Sequence, residues 1–510
     1  MKNYKYIGLL VLSIGFASCD VNNELDEIQG PQVEQITPNA NGLDFSKYIA
    51  VGASFTGGYL DGALFIKGQE NSFPNIMASK FKLVGGGDFN QPLMGDNIGG
   101  FMMGGQQIPS LLPRLYFNGA GPVRLNATST TSLTGRAAGT SFNNYGIPGA
   151  KSFHLTFPGY GALNPYFGRM ASSASATVLG DAMAQQPTFF TLSEVGGNDV
   201  LGFATSGGSG VDQKNNFNPA TYGPNDITSP VVFDQVFRGM VTAMTAGGAK
   251  GVIATVPDIT LLPYFTTVPY NPVPMNAATA ASVNSAYAAY NGGIQQAFGV
   301  LVQLNVMTKA QADAEVLKRT INFKAGQNAV VIVDEHLTNL GAINPAFAAL
   351  PQLRQTTAKD LLVLPSSSFI GTLAVPNNPA SVNGVGVALA DQWVLTETEL
   401  AQVQAATASY NATITSVASS NANVALIDLN AILQQARTGI TFDQYTMTTA
   451  LVRGGLVSLD GVHLTSRGYA LMANKILGAI DTKFGSNFTV ATNGLAKADD
   501  YQTNYSPTLR

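Results

Sequence analysis

From Lys47 onward the chain alternates short apolar runs with segments whose apolar residues recur at helical spacing, and this alternation narrows the fold more than any other feature. Tyr48–Val51, Thr188–Leu192, Gly251–Val256 and Val424–Ile427 are nearly continuous apolar runs, as expected of strands buried on both faces. Between them, Phe73–Phe81 has a helical pattern. Phe233, Val236, Phe237, Met240, Val241 and Met244 share one helix face before Gly247-Gly248 stops it. Thr396 and Glu399 have capping-box spacing, with Leu395 and Leu400 as a staple, and predict a helix running to about Ser419. Tyr469, Met472, Ala473, Ile476 and Ile480 predict a closing helix. Strands alternating with helices predict an α/β protein: a three-layer α/β/α sandwich around a mostly parallel sheet.

The alternation breaks in the middle. Residues 265–390 are rich in proline and long loops, and read as an inserted helical and loop-rich cap or side lobe. The core is then split into 45–264 and 391–486, followed by a C-terminal tail, 487–510. AYNGGIQQAF (289–298) leads to VVIVD (330–334) much as SYNATITSVA (409–418) leads to VALID (424–428), an internal echo consistent with an insertion before the last strand.

The start of the chain reads as an address. Lys2 and Lys5 precede an apolar stretch, Ile7–Ala17, too short to span a bilayer, and the small residues Ala17 and Ser18 precede the lone cysteine, Cys19. Residues 1–18 are expected to be a lipoprotein signal peptide, Cys19 the lipidated residue and 19–44 an acidic flexible tether. The expected location is the bacterial cell envelope, lipid-anchored, with the outer membrane preferred and the membrane contacted through the N-terminal lipid. A net charge of −4 without a basic cluster argues against nucleic acid as a partner. One cysteine leaves no disulfide within the chain.

In parallel sheets chemistry gathers at the carboxyl ends of the strands. Gly52-Ala53-Ser54-Phe55 follows the first strand, Gly146-Ile147-Pro148-Gly149-Ala150 an extended stretch near Ser141–Tyr145, and Gly196-Gly197-Asn198-Asp199 the strand at 188–192. Asp460-Gly461-Val462-His463 precedes the closing helix. Acyl transfer needs such parts: a serine made nucleophilic by a base, an imidazole, a carboxylate that fixes its tautomer, and preorganised donors for an oxyanion.

At these residues the chain resembles the SGNH, or GDSL-type, hydrolases. Gly52-Ala53-Ser54-Phe55 stands for Gly-Asp-Ser-Leu, Gly149 for the glycine of the second block, Gly196-x-Asn198-Asp199 for the third and Asp460-x-x-His463 for the fifth. Ala53 and Phe55 depart from the family pattern. The resemblance implies Ser54 as nucleophile, His463 as base and Asp460 as its orienter. It implies oxyanion donors at the Ser54 and Gly149 N–H groups and the Asn198 side chain, with Asp199 supporting the loop. The implied activity is hydrolysis of a lipid, aryl or glycan ester, without a cofactor or metal. A carbohydrate acetylesterase and a binding lipoprotein without turnover are the alternatives. The aromatic, proline-rich stretch 260–274 favours an acyl or aryl group over a sugar acetate.

Other residues have competing readings. His336, in Asp334-Glu335-His336, is a metal ligand, an alternative base or a loop residue; three scattered histidines give a metal site no support. His154 lines a pocket or is a hydrogen-bonded structural residue. Asp428, at a strand end, is an alternative triad acid. Glu194 touches substrate or caps a strand end.

Overall fold

The computed structural model describes residues 35–510. Signal residues 1–18, Cys19 and most of the expected tether lie outside the described residues. The centre of the molecule is a five-stranded, all-parallel sheet built from β1 (Tyr48–Gly52), β2 (Asn144–Gly146), β3 (Phe189–Ser193), β4 (Lys250–Ala254) and β5 (Val424–Ile427), in spatial order β2-β1-β3-β4-β5. Every residue of β1, β2 and β3 is buried, which explains the unbroken apolar runs. Registers run Ala50 to Asn144 on one side of β1 and Ala50 to Thr191 on the other.

The helices that concern the site are α1 (Ser54–Gly57), α2 (Phe73–Phe81), α3 (Val178–Ala184), α4 (Asn198–Thr205), α5 (Pro230–Thr245), α6 (Ala277–Gln303), α7 (Lys309–Arg319), α8 (Glu397–Ser420), α9 (Leu429–Ala436) and α10 (Ser466–Phe484). α2 packs on α10, while α3 and α8 pack on α5, and α8 and α10 both reach β4 and β5. The protein is therefore α/β with a parallel central sheet, compatible with an α/β/α sandwich. Local chemistry sets the helix ends. Pro230 opens α5 at a position where its missing N–H costs nothing, and Thr465 Oγ1 accepts the Gly468 N–H at the start of α10. Glu399 Oε2 accepts the Thr396 N–H (2.7 Å) and hydroxyl (2.9 Å), the reach-back half of the capping box.

The region 265–390 carries its own small apolar clusters, one of Ile294, Phe298 and Leu301 with Leu340, another around Val330, Ile332, Leu362 and Leu389. Its buried Arg354 bridges Asp334 and Asp360 at 2.5 and 2.7 Å. The echo is one of sequence only: Val331–Val333 pairs antiparallel with Leu353–Gln355, whereas β5 joins the parallel sheet.

Residues 39–43 and the C-terminal segment are more firmly held than a tether and a tail suggest. Asn39 N–H donates to Asn487 Oδ1 (2.7 Å), Asn41 Nδ2 to the Phe484 carbonyl (2.8 Å), and Leu43 is buried. The wholly buried Arg114 guanidinium donates to the carbonyls of Ser506 (2.6 Å) and Leu509 (3.1 Å). Apolar residues in each segment, Leu43, Phe488 and Tyr505, find room in the core, which the acidic and polar composition around them masks.

In sheet order 2-1-3-4-5 the chain leaves β1 for β2 on one side and returns to β3 on the other, and a ligand crevice opens outside the carboxyl ends where these paths diverge. At that point the backbones approach so closely that a Cβ at Gly146 would lie 2.0 Å from the Gly57 nitrogen. Gly146→Ala should therefore lower stability by about 2 kcal/mol, as overpacking against rigid backbone does; a urea midpoint equal to wild type would show that the contact is not tight.

Candidate active site

The turn after β1 places Ser54 at the head of α1. Its Oγ lies 2.9 Å from His463 Nε2, and His463 Nδ1 lies 2.9 Å from Asp460 Oδ2. The three side chains come from the two ends of the sequence, yet form one linear hydrogen-bonded series. Ser54 is nearly buried, and His463 and Asp460 are each 13% exposed. The series matches an imidazole that accepts the serine proton at Nε2 while the carboxylate holds Nδ1–H.

Asp460 is built to stay ionised. Its Oδ1 accepts the N–H groups of Val462 and His463 (both 2.9 Å) and the Ser458 hydroxyl (3.0 Å), and its Oδ2 also accepts the Gly62 N–H (2.8 Å). Burial opposes the charge, but the adjacent His463 and these donors hold the carboxyl well below the usual carboxylate range. The segment following α1 clasps this loop from the other side: Asp61 N–H donates to Ser458 Oγ (3.0 Å), and Asp61 Oδ1 accepts the Leu459 N–H (3.1 Å). The rings of Tyr59 and Phe55 lie 4.6 and 5.7 Å from the imidazole and confine it. Asp428 is spent elsewhere; it accepts the Ala431 N–H at the start of α9 and the Thr255 hydroxyl.

Asn198 lines the same cavity as Ser54 and is bonded to the residue that follows Gly149. Asn198 Nδ2 donates one hydrogen to the Ala150 carbonyl (2.9 Å) and keeps a second, while Asn164 Nδ2 holds the Pro148 carbonyl (2.9 Å). Gly149 between them has φ +79°, a conformation that glycine takes without strain. Its N–H and that of Ser54 donate to no group among the described residues. Asp199, wholly buried, accepts the Ser152 N–H (2.9 Å) and hydroxyl (2.7 Å), binding the start of α4 to the segment that follows Gly149. Unpaired donors at Ser54, Gly149 and Asn198, with an imidazole in reach of the Ser54 hydroxyl, are the kinds of parts that oxyanion stabilisation needs.

Glu194 resolves into a positioning role for the nucleophile turn. It follows β3 in a left-handed conformation (φ +46°) and turns its carboxylate under α1. Oε1 accepts the N–H groups of Ala53 (2.7 Å) and Thr56 (2.8 Å), and Oε2 the Thr56 hydroxyl (3.1 Å). Burial pushes its carboxyl up to about 7 against these bonds. His154 is structural: Nδ1 accepts the Lys151 N–H, the ring stacks on Tyr160, and burial together with Lys151 depresses it to about 4. His336 lies on the inserted region, beside Asp334 and Glu335.

A cavity of about 880 Å³, counted to its open mouth, begins at Ser54 and His463. Its wall is aliphatic: Ile259, Leu262, Leu433, Leu471 and Met472 are among the lining residues, with Phe55 its aromatic member. Of the stretch 260–274, Leu262 reaches this wall. Met472 was recognisable in the sequence only as a helix-face residue, and Leu433, Gly62, Ser458 and Asp61 carried no signal, because what they do depends on segments meeting in space.

No protein-family model matches the chain, no curated protein matches it, and no solved structure matches it.

Between its ordinary value near 4.5 and about 7, folded Glu194 keeps a proton that the unfolded chain releases, so its contribution to stability falls as pH rises through that window. In E194Q the loss of stability between pH 4.5 and 7.5 should be smaller than in wild type, by up to about 3 kcal/mol. Parallel urea titrations of both proteins across this range read the difference; identical slopes would mean that Glu194 titrates normally.

Proposed function

We propose that the protein is a serine ester hydrolase of the SGNH type. The observation that carries this reading is the unbroken Ser54–His463–Asp460 series, 2.9 Å at each link, beside the unpaired N–H groups of Ser54 and Gly149. In this reading Ser54 Oγ attacks the acyl carbon as His463 Nε2 takes its proton. The oxyanion is held by the Ser54 and Gly149 N–H groups and the free Asn198 N–H. His463 returns the proton to the leaving alkoxide, then removes one from water, which cleaves the Ser54 ester. Asp460 remains a carboxylate throughout and keeps Nδ1 protonated.

The aliphatic cavity favours an ester of a fatty acyl chain over a sugar acetate, because about 25 cal/mol per Å² of apolar surface is gained only by a group long enough to fill it. A fluorophosphonate probe should label Ser54 in the folded protein, p-nitrophenyl esters should be cleaved faster as the acyl chain lengthens beyond acetate, and Asn198→Ala should reduce turnover roughly a hundredfold or more. An unlabelled Ser54 sinks the hydrolase reading; labelling with activity on acetate alone sinks only the choice of substrate.

The same proposal places the protein at a bacterial envelope through lipid on Cys19, with the outer membrane preferred. Multiple acyl chains anchor stably where one does not. No helix among the described residues is long and apolar enough to cross a membrane. Cys19→Ser should release the protein from the membrane fraction or leave the precursor uncleaved; a correctly cleaved variant that still sediments with membranes after a salt wash would contradict lipidation.

A further inference from the structure

Away from Ser54, where the inserted region meets the core, carboxylate oxygens of Glu335, Asp391 and Glu399 lie within 4.8 Å of one another. Glu335 belongs to the insertion, Asp391 follows it, and Glu399 stands in the first turn of α8. Three like charges this close are unfavourable unless something neutralises them. No lysine or arginine side chain does so, and His336, 3.7 Å from Glu335 Oε1 at the exposed mouth, pairs with neither Asp391 nor Glu399. Arg354 is committed to Asp334 and Asp360, and Lys214, which lines the neighbouring cavity with Glu335 and Glu399, pairs with none of the three.

The second observation concerns single atoms. Glu399 is 1% exposed; its Oε2 is satisfied by Thr396, but its Oε1 is sealed from solvent and accepts no hydrogen bond. Asp391 Oδ1 is likewise sealed and unpartnered. Leaving such an atom unpaired costs of order 1–3 kcal/mol, more for a charge. The enclosure depends on glycine: Gly208 is left-handed at φ +86°, and a Cβ there would stand 2.2 Å from Glu399 Oε1. Gly207 is pressed as closely on the Asp391 carbonyl. The loop that ends α4 therefore closes over the Glu399 carboxylate and packs on the Asp391 backbone, while Glu335 stays exposed.

We infer that Glu335, Asp391 and Glu399 form a calcium site that fastens the inserted region to α8 and to the loop after α4. The donors are all hard oxygens, three carboxylates can balance a divalent cation, and water through the open side at Glu335 can complete the 6–8 oxygens calcium takes. Calcium suits the irregular arrangement better than magnesium, which demands near-octahedral geometry. The inference does not rest on the hydrolase reading.

Calcium binding to the full chain after treatment with EGTA is the test, followed by isothermal titration with CaCl2 and by thermal unfolding. One ion per chain should bind, with a Kd of 10⁻³ M or tighter on the order of extracellular calcium modules, and the melting temperature should rise as the ion saturates. E335Q, altered at the exposed mouth, should fold as wild type and bind roughly tenfold more weakly or worse; E399Q should lose both binding and the thermal shift. Absence of heat and of a thermal shift in wild type would overturn the site, as would E335Q and E399Q binding like wild type. Equal binding of MgCl2 would overturn calcium as its ion. A stability that responds to pH but to neither cation would mean that the carboxylates share protons.

Discussion

Everything near the nucleophile depends on how closely backbone can approach backbone at the carboxyl end of β1. Gly52, Gly57 and Gly146 surround that point, and a side chain on Gly52 would run into Thr56, the Ser193 carbonyl and Glu194. With no side chains between them, α1 can pack directly on the strand ends, and one buried carboxylate can reach the N–H groups on either side of Ser54. Rigid support of this kind fixes the Ser54 hydroxyl against the His463 imidazole. The glycines around Ser54 therefore leave room for the protein's own framework as well as for a substrate.

The residues of the candidate site are each held by tertiary partners: Asp460 by Ser458 and Gly62, the Gly149 loop by Asn164 and Asn198, the start of α4 by the bonds of Asp199 to Ser152. Few of these bonds join residues close in sequence, so the site is made by tertiary packing more than by any local motif.

That difference decides what could be read beforehand. Strands β1, β3, β4 and β5 were legible because burial on both faces leaves continuous apolar runs, and α2 and α8 because 3.6-residue periodicity and a capping box survive in the letters alone. The residues of the Ser54–His463–Asp460 series were visible as residue types in the letters, Ser54 after β1 and the Asp460–His463 pair in the loop before α10. The aliphatic cavity was not, since Leu433 and Met472 look like any other helix-face residue until α9 and α10 are placed. Nor were the fastened ends: the polar spacing around Leu43, Phe488 and Tyr505 resembles that of a loose segment, and only Asn487, Arg114 and the core they meet show otherwise.

Ser54 and His463 lie 409 residues apart, and β5 must find β4 across the whole inserted region. Contacts this distant in the chain form late and slowly. A polypeptide that ends before residue 463 carries Ser54 without its imidazole partner. The order of the elements thus makes the Ser54–His463–Asp460 series one of the last things the chain can assemble, complete only when its final segments have docked.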